Sequence, residues 1–523
     1  MKKLNNPVLF VPLAFATVFC STPENDNKPN YEENWESLSK VNQTPEWFLD
    51  AKFGIYTHWG PVSEALLESK EGRWYSGWYG KAMYEDGKKV PTRNGKPTNN
   101  FLHHNEKYGD PAEFGYDHVI RQFSPTAFDA SVWAELFAAS GAKFAGPVAM
   151  HHDNFAMWNA KSTRWNSMNY GGIDPSATLK REIESRGMKF MASFHHAFTW
   201  KYFAPAHTYS KIKPEDYDLY TSPHSLDSDS VDARFRTEWW AKLKEYIDVY
   251  EPDLIWFDWW LENLPEEDRI KFLAYYYNAA LEWGKEVAVA YKESTFPIST
   301  AIKDYERGRP NQPKSPAWLT DTSPGAWFYR TDAKFKEPNG LIDILIDIVA
   351  KNGVMLLNVP PDPSGAIPEE MKELLLEMGK WLKVNADAIY GTRPWTIFGE
   401  GPTRLPEGGH KVEEKKAISY TNLDIRYTRK SDKEFYAIVM DHPDQEIVMK
   451  SLSTDIGVLN SRILSVTLLG STERLKWERD TRGLVVSLPH ALPQAHAYCF
   501  KILLEGYTEN DIGGNVAAHE DGE

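Results

Sequence analysis

The chain has 523 residues, 42% apolar and 25% charged, with a formal net charge of −15. That length suits a large domain plus an accessory one, and the acidic balance excludes a nucleic-acid partner, which would need clustered Lys and Arg. The 20 Trp and 26 Tyr suit a large core, or a pocket on which flat, half-apolar ligands such as sugars lie.

At the N-terminus Lys2 and Lys3 precede an apolar stretch from Val8 to Phe19. This is the pattern of a secretory leader, and it is too short to span a bilayer. The expectation for residues 1–20 is a leader, either cleaved or lipid-attached at Cys20. The protein is then exported, to the periplasm or to a lipid-anchored place at a bacterial cell envelope, with no membrane-spanning segment. Residues 21–45, polar and rich in Pro, Asn and Glu, read as a spacer or loosely attached lead-in.

From residue 46 to 390 short apolar runs (KFGIYTHW, KFAGPVAM, MKFMASF, DLIWFDW, EVAVAY, VMLLNV) alternate with helix-like segments such as FDASVWAELFAASG and TEWWAKLKEYIDVY. Continuous apolar runs between amphipathic helices mark parallel strands covered on both faces. Their number predicts a (β/α)8-like TIM barrel ahead of an open doubly wound sheet. No G-x-G-x-x-G follows a strand, so nothing favours a dinucleotide cofactor. Residues 391–507 hold strand-like runs (FYAIVMDH, RILSVTLLG, GLVVSLP, HAYCFKILLE) punctuated by turn residues, which predicts a β-sandwich. Cys499 lies in the last run and reads as a buried free thiol. Residues 508–523 read as a disordered tail.

In a parallel barrel the reactive groups sit at the C-terminal ends of the strands. In DLIWFDW, strand alternation puts Leu254, Trp256 and Asp258 on one face and Ile255 and Phe257 on the other, so Asp258 points into the mouth beside Trp256. Other runs end in His58, in His151-His152 and in His195-His196. Neighbours on a strand point to opposite faces, so neither pair is expected to chelate. There is no H-E-x-x-H helix or Cys ligand set either, and neither metal nor cofactor is expected. Several imidazoles and aromatic rings around one acid instead suggest a pocket for a polyol.

The stretches FGIYTHWG, the GWY of SGWYGKAMY, AKFAGPVAMHHDNFAMWNAKSTRWN, DLIWFDW, DYERGR…WLTDTS and DIVAKNGVMLLNVPPDPSGAIP followed by IYGTRPW resemble, in order, the motifs of the α-L-fucosidases of glycoside hydrolase family 29. The resemblance covers about residues 45–395. It implies a barrel followed by a β-sandwich and an exo-acting, retaining, metal-independent hydrolase with a fucosylated glycan as substrate. Carried over, it makes Asp258 the nucleophile. It places His58, Trp78, His151, His152, His195, Trp256 and Trp327 against the sugar. Glu306 in DYERGR is the best match for the general acid, with Glu293 and Glu262 as competitors.

Two departures stand out. Gly77 takes the place of the family's Glu before Trp-Tyr, and Lys292 that of an Arg after the fifth strand. Both would alter which hydroxyls or substituents are read. An insert following GWY carries Lys88, Lys89, Arg93, Lys96 and Lys107, a solvated loop or an approach to a sulfated or acidic branch. The expected activity is release of terminal α-L-fucose by double displacement. The alternatives are an α-L-galactosidase acting on algal galactan, sulfated or not, and a non-catalytic surface protein that binds glycan.

Overall fold

The computed structural model describes Met1 and residues 31–66, 77–406, 411, 418–444, 446–493 and 495–506. The leader, Cys20 and the C-terminal tail read from the sequence lie outside the described residues. Eight parallel strands run in chain order: β1 (Phe53–Thr57), β2 (Phe144–Met150), β3 (Lys189–Phe194), β4 (Leu254–Phe257), β5 (Ala288–Tyr291), β6 (Ile302–Lys303), β7 (Trp318–Thr322) and β8 (Gly353–Asn358). Each pairs with its neighbours in the order β6-β5-β4-β3-β2-β1-β8-β7, and a parallel bridge from Asp304 to Leu319 joins the two ends. The sheet is therefore a closed barrel.

Alternation decides what each strand residue touches. Tyr56, Phe144, Val148, Met191, Leu254, Trp256, Leu319 and Leu356 fill the interior. Ile255 and Phe257 face the helices, with Phe257 edge-on to Phe272 at 5.0 Å. Strand contact is close enough to dictate composition at Gly146, where a Cβ would lie 1.7 Å from the Met191 carbonyl oxygen. The predicted helices form around this barrel, for example Ala130–Ala139, whose Asp129 cap accepts from the Ser131 and Val132 amides, and Ala233–Tyr250, capped by Asp232.

The regular alternation fails in one place. No helix separates β5 from β6 or β6 from β7. The loops that replace those helices carry Lys292 to Ala301 and Asp304 to Ala317 across the mouth. The first described part of the lead-in is docked rather than loose. Tyr31 and Asn278 exchange two hydrogen bonds of 2.8 Å, and Trp35 packs edge-on against Phe296. Two aromatic anchors in a polar stretch account for the difference.

Beyond the helix Glu369–Ile389, the chain turns into β9 (Arg393–Glu400), β10 (Ile425–Ser431), β11 (Glu434–Val439), β12 (Ile447–Met449), β13 (Ile463–Leu468), β14 (Trp477–Arg479), β15 (Leu484–Val486) and β16 (Tyr498–Leu504). They form an antiparallel five-stranded sheet, β13-β16-β11-β10-β9, and a three-stranded one, β12-β15-β14. Between the sheets lie Trp395, Tyr427, Phe435, Met449, Leu484 and Phe500, the inward set of a sandwich. Cys499 is buried and free in β16. Sandwich and barrel meet through Arg426, which donates to Asp347 at 2.7 Å. Asp347 also pairs with Lys351 at 2.9 Å and Arg309 at 3.5 Å. Among the described residues no helix is long and apolar enough to cross a membrane.

Candidate active site

A cavity of about 660 Å³ opens at the C-terminal ends of the strands. Its wall is assembled from residues that follow successive strands: His58 after β1, His151 and His152 after β2, His195 after β3, Asp258 after β4, Lys292 after β5, Glu306 after β6 and Trp327 after β7, with Trp78 and Trp256. Asp258, Glu306 and every residue that the resemblance sets against the sugar are thus brought to one cavity. Glu262 and Glu293 are not part of its lining. None of the five basic residues of the insert lines it either. Lys89 instead lies over the Tyr209 ring at 4.3 Å and Lys107 over Tyr108 at 5.2 Å.

The register Phe194 to Phe257 between β3 and β4 makes His195 and Asp258 the next pair along, and the Asp258 amide extends the ladder to the Phe194 carbonyl at 3.2 Å. Asp258 Oδ2 accepts from His195 Nδ1 at 3.0 Å and lies 3.3 Å from His152 Nε2. Its Oδ1 accepts from Lys292 Nζ at 3.0 Å. Burial by itself would push this carboxyl up, but the Lys292 ammonium and His195 reverse that and hold it well below the usual carboxylate range. The acid among aromatics is therefore ionised.

The imidazoles are fixed from behind. The His58 ring donates through Nδ1 to Asn358 Oδ1 at 2.9 Å, while the Asn358 amide donates to the Trp327 carbonyl at 2.7 Å. This orientation leaves His58 Nε2 as an acceptor. His152 donates through Nδ1 to the His195 carbonyl at 2.7 Å, and Trp78 stacks on its ring at 5.2 Å. Burial holds His195 down to about 4 against the pull of Asp258, and it holds His58 and His151 well below the ordinary imidazole value. These three are neutral hydrogen-bonding groups at pH 7.

The expectation that neighbouring histidines face opposite ways holds for one pair and fails for the other. His196 turns away onto Trp239 at 5.7 Å, but His151 and His152 both line the cavity with ring centroids 4.5 Å apart. The reason is that β2 ends at Met150, so the two belong to a turn where strand parity no longer applies. Two trios, His58–His151–His195 and His152–His195–Asp258, have ligand atoms within 4.8 Å of one another and so could hold an ion. Within them His58 Nδ1 and His195 Nδ1 are already engaged by Asn358 and Asp258.

Glu306 stands across the cavity. Its Oε2 accepts from Lys292 Nζ at 2.8 Å and from the Trp259 indole, and its Oε1 lies 3.8 Å from Lys411 Nζ. Burial would raise this carboxyl, but Lys292 outweighs it and leaves it below its ordinary value. Glu293, at φ +61°, is pushed up to about 7 by burial and by a hydrogen bond with Glu262. Proton affinity thus favours Glu293 as an acid and position favours Glu306. Position weighs more, because a proton donor must reach the scissile oxygen.

Gly77 is explained by Phe328, whose ring would lie 2.7 Å from a Cβ at that position. The same ring meets His58 at 5.3 Å and His151 at 5.1 Å. Thus an apolar ring edge occupies the corner beside Gly77, where the resemblance implied a carboxylate. Asp321, Tyr56, Trp259, Trp260, Arg307 and Lys411 also line the cavity without having been singled out as site residues. Asp321 follows the strand-end rule, but its strand carries Thr320 and Asp321 where an apolar run was sought. Nothing in the sequence marks Lys411, which comes from the connection between β9 and β10.

Residues 18–387 match the family described as Alpha-L-fucosidase, and residues 419–503 match the Alpha-L-fucosidase C-terminal domain. The chain is 28% identical over 498 residues to an alpha-L-fucosidase of Dictyostelium discoideum, covering 90% of this chain and 95% of that one. It is 26% identical over 508 residues to the tissue alpha-L-fucosidase of Homo sapiens, covering 94% of each. Its fold superposes on the crystal structure of Thermotoga maritima alpha-fucosidase with a TM-score of 0.68 at 27% identity, over 90% of this chain and 100% of that one. The first family match alone spans well over half of the sequence, and the chain therefore belongs to the α-L-fucosidase family of glycoside hydrolases.

Proposed function

We propose that this enzyme releases terminal α-L-fucosyl residues from glycans with retention, Asp258 acting as nucleophile and Glu306 as acid and base. The observation that carries the reading is the Lys292 bridge. One ammonium nitrogen lies 3.0 Å from Asp258 Oδ1 and 2.8 Å from Glu306 Oε2, so those oxygens are at most the sum of these distances, about 5.8 Å, apart. A retaining pair stands about 5–5.5 Å apart, whereas an inverting pair needs about 6.5–9.5 Å to admit a water.

In the first step Asp258 forms a bond to the anomeric carbon as the glycosidic C–O bond breaks, and the Glu306 proton passes to the departing oxygen. In the second, Glu306 takes a proton from water, the water oxygen bonds to the anomeric carbon, and Asp258 leaves as carboxylate. His58, held as an acceptor, and the neutral His151 and His195 suit sugar hydroxyls, and Trp327 and Phe328 suit the sugar's apolar face. A silent glycan-binding protein would not need two carboxylates at this spacing, and the comparisons do not favour an α-L-galactosidase.

The test is Asp258→Gly, with an expected loss of at least about 10³-fold in kcat and formation of a fucosyl azide when azide is added. An unaffected rate overturns the assignment. The first product seen by proton NMR should be α-L-fucose, and β-L-fucose would exclude retention. We also propose export through the N-terminal leader, to the periplasm or to a lipid anchor at Cys20, two outcomes that lipid labelling separates. Labelling with radioactive palmitate checks it, and an unprocessed cytoplasmic chain refutes it.

A further inference from the structure

Beneath the two carboxylates lies a second layer of acid that the steps above do not use. Asp304, just past β6, and Asp321, in β7, are 0% and 1% exposed. The Asp321 amide donates to Asp304 Oδ1 at 3.0 Å, and the Trp256 indole donates to Asp304 Oδ2 at 2.6 Å. The Tyr56 hydroxyl donates to Asp321 Oδ2 at 2.8 Å, and Lys292 Nζ is 3.4 Å from that same oxygen. Asp321 Oδ1 is buried with no donor among the protein groups, a costly state for a carboxylate oxygen unless the neighbouring acid carries a proton.

Two adjacent buried carboxyls share a single charge more readily than they ionise together. Burial and Asp321 push Asp304 well above the usual carboxylate range; burial raises Asp321 too, but less, because Lys292 and a hydrogen bond from Asp304 favour its ionised form. Asp304 is thus the neutral partner, and Asp321 is the anion that faces Lys292. Lys292 meets three anionic groups: Asp258 from β4, Glu306 from the loop after β6, and Asp321 from β7. Glu293 beside it, the neutral His58 and His195, His152 against Asp258, Tyr56 on Asp321, Arg307 and Arg330 in the cavity wall and Lys411 beyond Glu306 also surround it.

The acid role of Glu306 contains a conflict. A general acid must carry a proton, yet Lys292 in its present place favours the ionised form. Were Asp258 and Glu306 the only partners, the buried ammonium would hold Glu306 ionised, because unpaired buried charge is expensive. Asp321 offers the same ammonium a third contact, 3.4 Å away against 2.8 Å to Glu306.

We propose that Asp321 is a positioning residue for proton donation, taking up the Lys292 ammonium when the leaving group occupies Glu306. Lys292 then stays with Asp258 and Asp321, and Glu306 is free to hold its proton. This rests on Glu306 being the acid.

The experiment compares the full-length enzyme with Asp321→Asn on phenyl and 2,4-dinitrophenyl α-L-fucosides across pH. Departure of dinitrophenolate needs no proton, so that substrate should be hydrolysed within about threefold of the unaltered enzyme. The phenyl fucoside should lose about tenfold or more. The alkaline limb of its kcat and kcat/KM profiles should move to lower pH, since Glu306 then loses its proton earlier. Equal losses on both substrates with an unmoved limb overturn the proposal and leave Asp321 a structural residue. Asp304→Asn supplies the second arm. It replaces a neutral acid by a neutral amide, which gives up one acceptor for the Asp321 amide or the Trp256 indole but leaves the charge around Lys292 unchanged, so the limb should stay in place. A downward move there also overturns the proposal, even if Asp321→Asn fails to fold. Glu306→Gln is measured alongside. If it treats the two leaving groups alike, the acid assignment itself falls and the proposal with it.

Discussion

Two buried ion clusters in this molecule are built from the same kinds of group in opposite proportion. At the mouth a single ammonium, Lys292, is shared by Asp258, Glu306 and Asp321. Where barrel meets sandwich, a single carboxylate, Asp347, is shared by Arg426, Lys351 and Arg309. Surplus acid around one cation leaves protons to be shared, so neighbouring carboxyls are driven apart in proton affinity: Asp258 far down and Asp304 far up. Surplus cation fixes the charge of the one acid it surrounds, although burial pushes Asp343 beside it up to about 8. Asp347 is held well below the carboxylate range although burial by itself would raise it. The first arrangement places its shared protons at the cavity, and the second joins the barrel to the sandwich. Glu306 and Arg309 belong to the same loop, so the interface cluster holds the loop that carries the acid.

Breaking the structural cluster should give the largest change in stability. Asp347→Ala removes the carboxylate that three buried cations share and should cost about 3–5 kcal/mol, read by denaturant unfolding. A loss below about 1 kcal/mol would mean that the cluster pins nothing. Because the Asp347 pKa is depressed on folding, its contribution is complete above about pH 4, the unfolded carboxylate value. It fades as pH falls below that value toward the folded one.

Removing the catalytic cation sharpens the contrast. Lys292→Met should lower kcat about 10²-fold. Without the ammonium, Asp258 and Glu306 both bind protons more tightly, so both limbs of the pH profile should move to higher pH. A fall in rate with unmoved limbs would separate Lys292 from the titration of the pair.

A smaller effect is expected where packing rather than charge shapes the pocket. Gly77→Ala forces the Phe328 ring to shift, an overpacking cost of about 1–3 kcal/mol. It should appear mainly as a roughly tenfold rise in KM, relieved by Phe328→Leu in the same chain. The smallest belongs to Lys411→Ala, since that ammonium is half-exposed and 3.8 Å from Glu306. A change in kcat/KM of about twofold is expected, and a loss beyond tenfold would give the sandwich a direct part in catalysis.

The legible part of the site is the part that ends strong strands. His58, His195 and Asp258 follow runs whose residues are buried on both faces, and alternation alone aims Trp256 and Asp258 inward. The same logic misled at His151 and His152, because the strand had already ended at Met150. It missed Asp304 and Asp321 because β6 has two residues and β7 is half polar, so neither resembles a barrel strand in isolation. Tyr31 and Trp35 were passed over for a similar reason, as anchors surrounded by spacer-like residues.

By itself the amino-acid sequence determined the barrel, the sandwich, the nucleophile candidate and its ring of histidines, because periodicity and strand ends are local properties of the chain. Only the tertiary structure decided that Lys292 joins Asp258 to Glu306, that Asp304 backs Asp321, that Phe328 fills the space beside Gly77, and that Lys411 arrives from the sandwich. Each is a contact between residues far apart along the chain or on different strands, set by barrel closure and loop packing, and those distances decide which carboxyl keeps a proton.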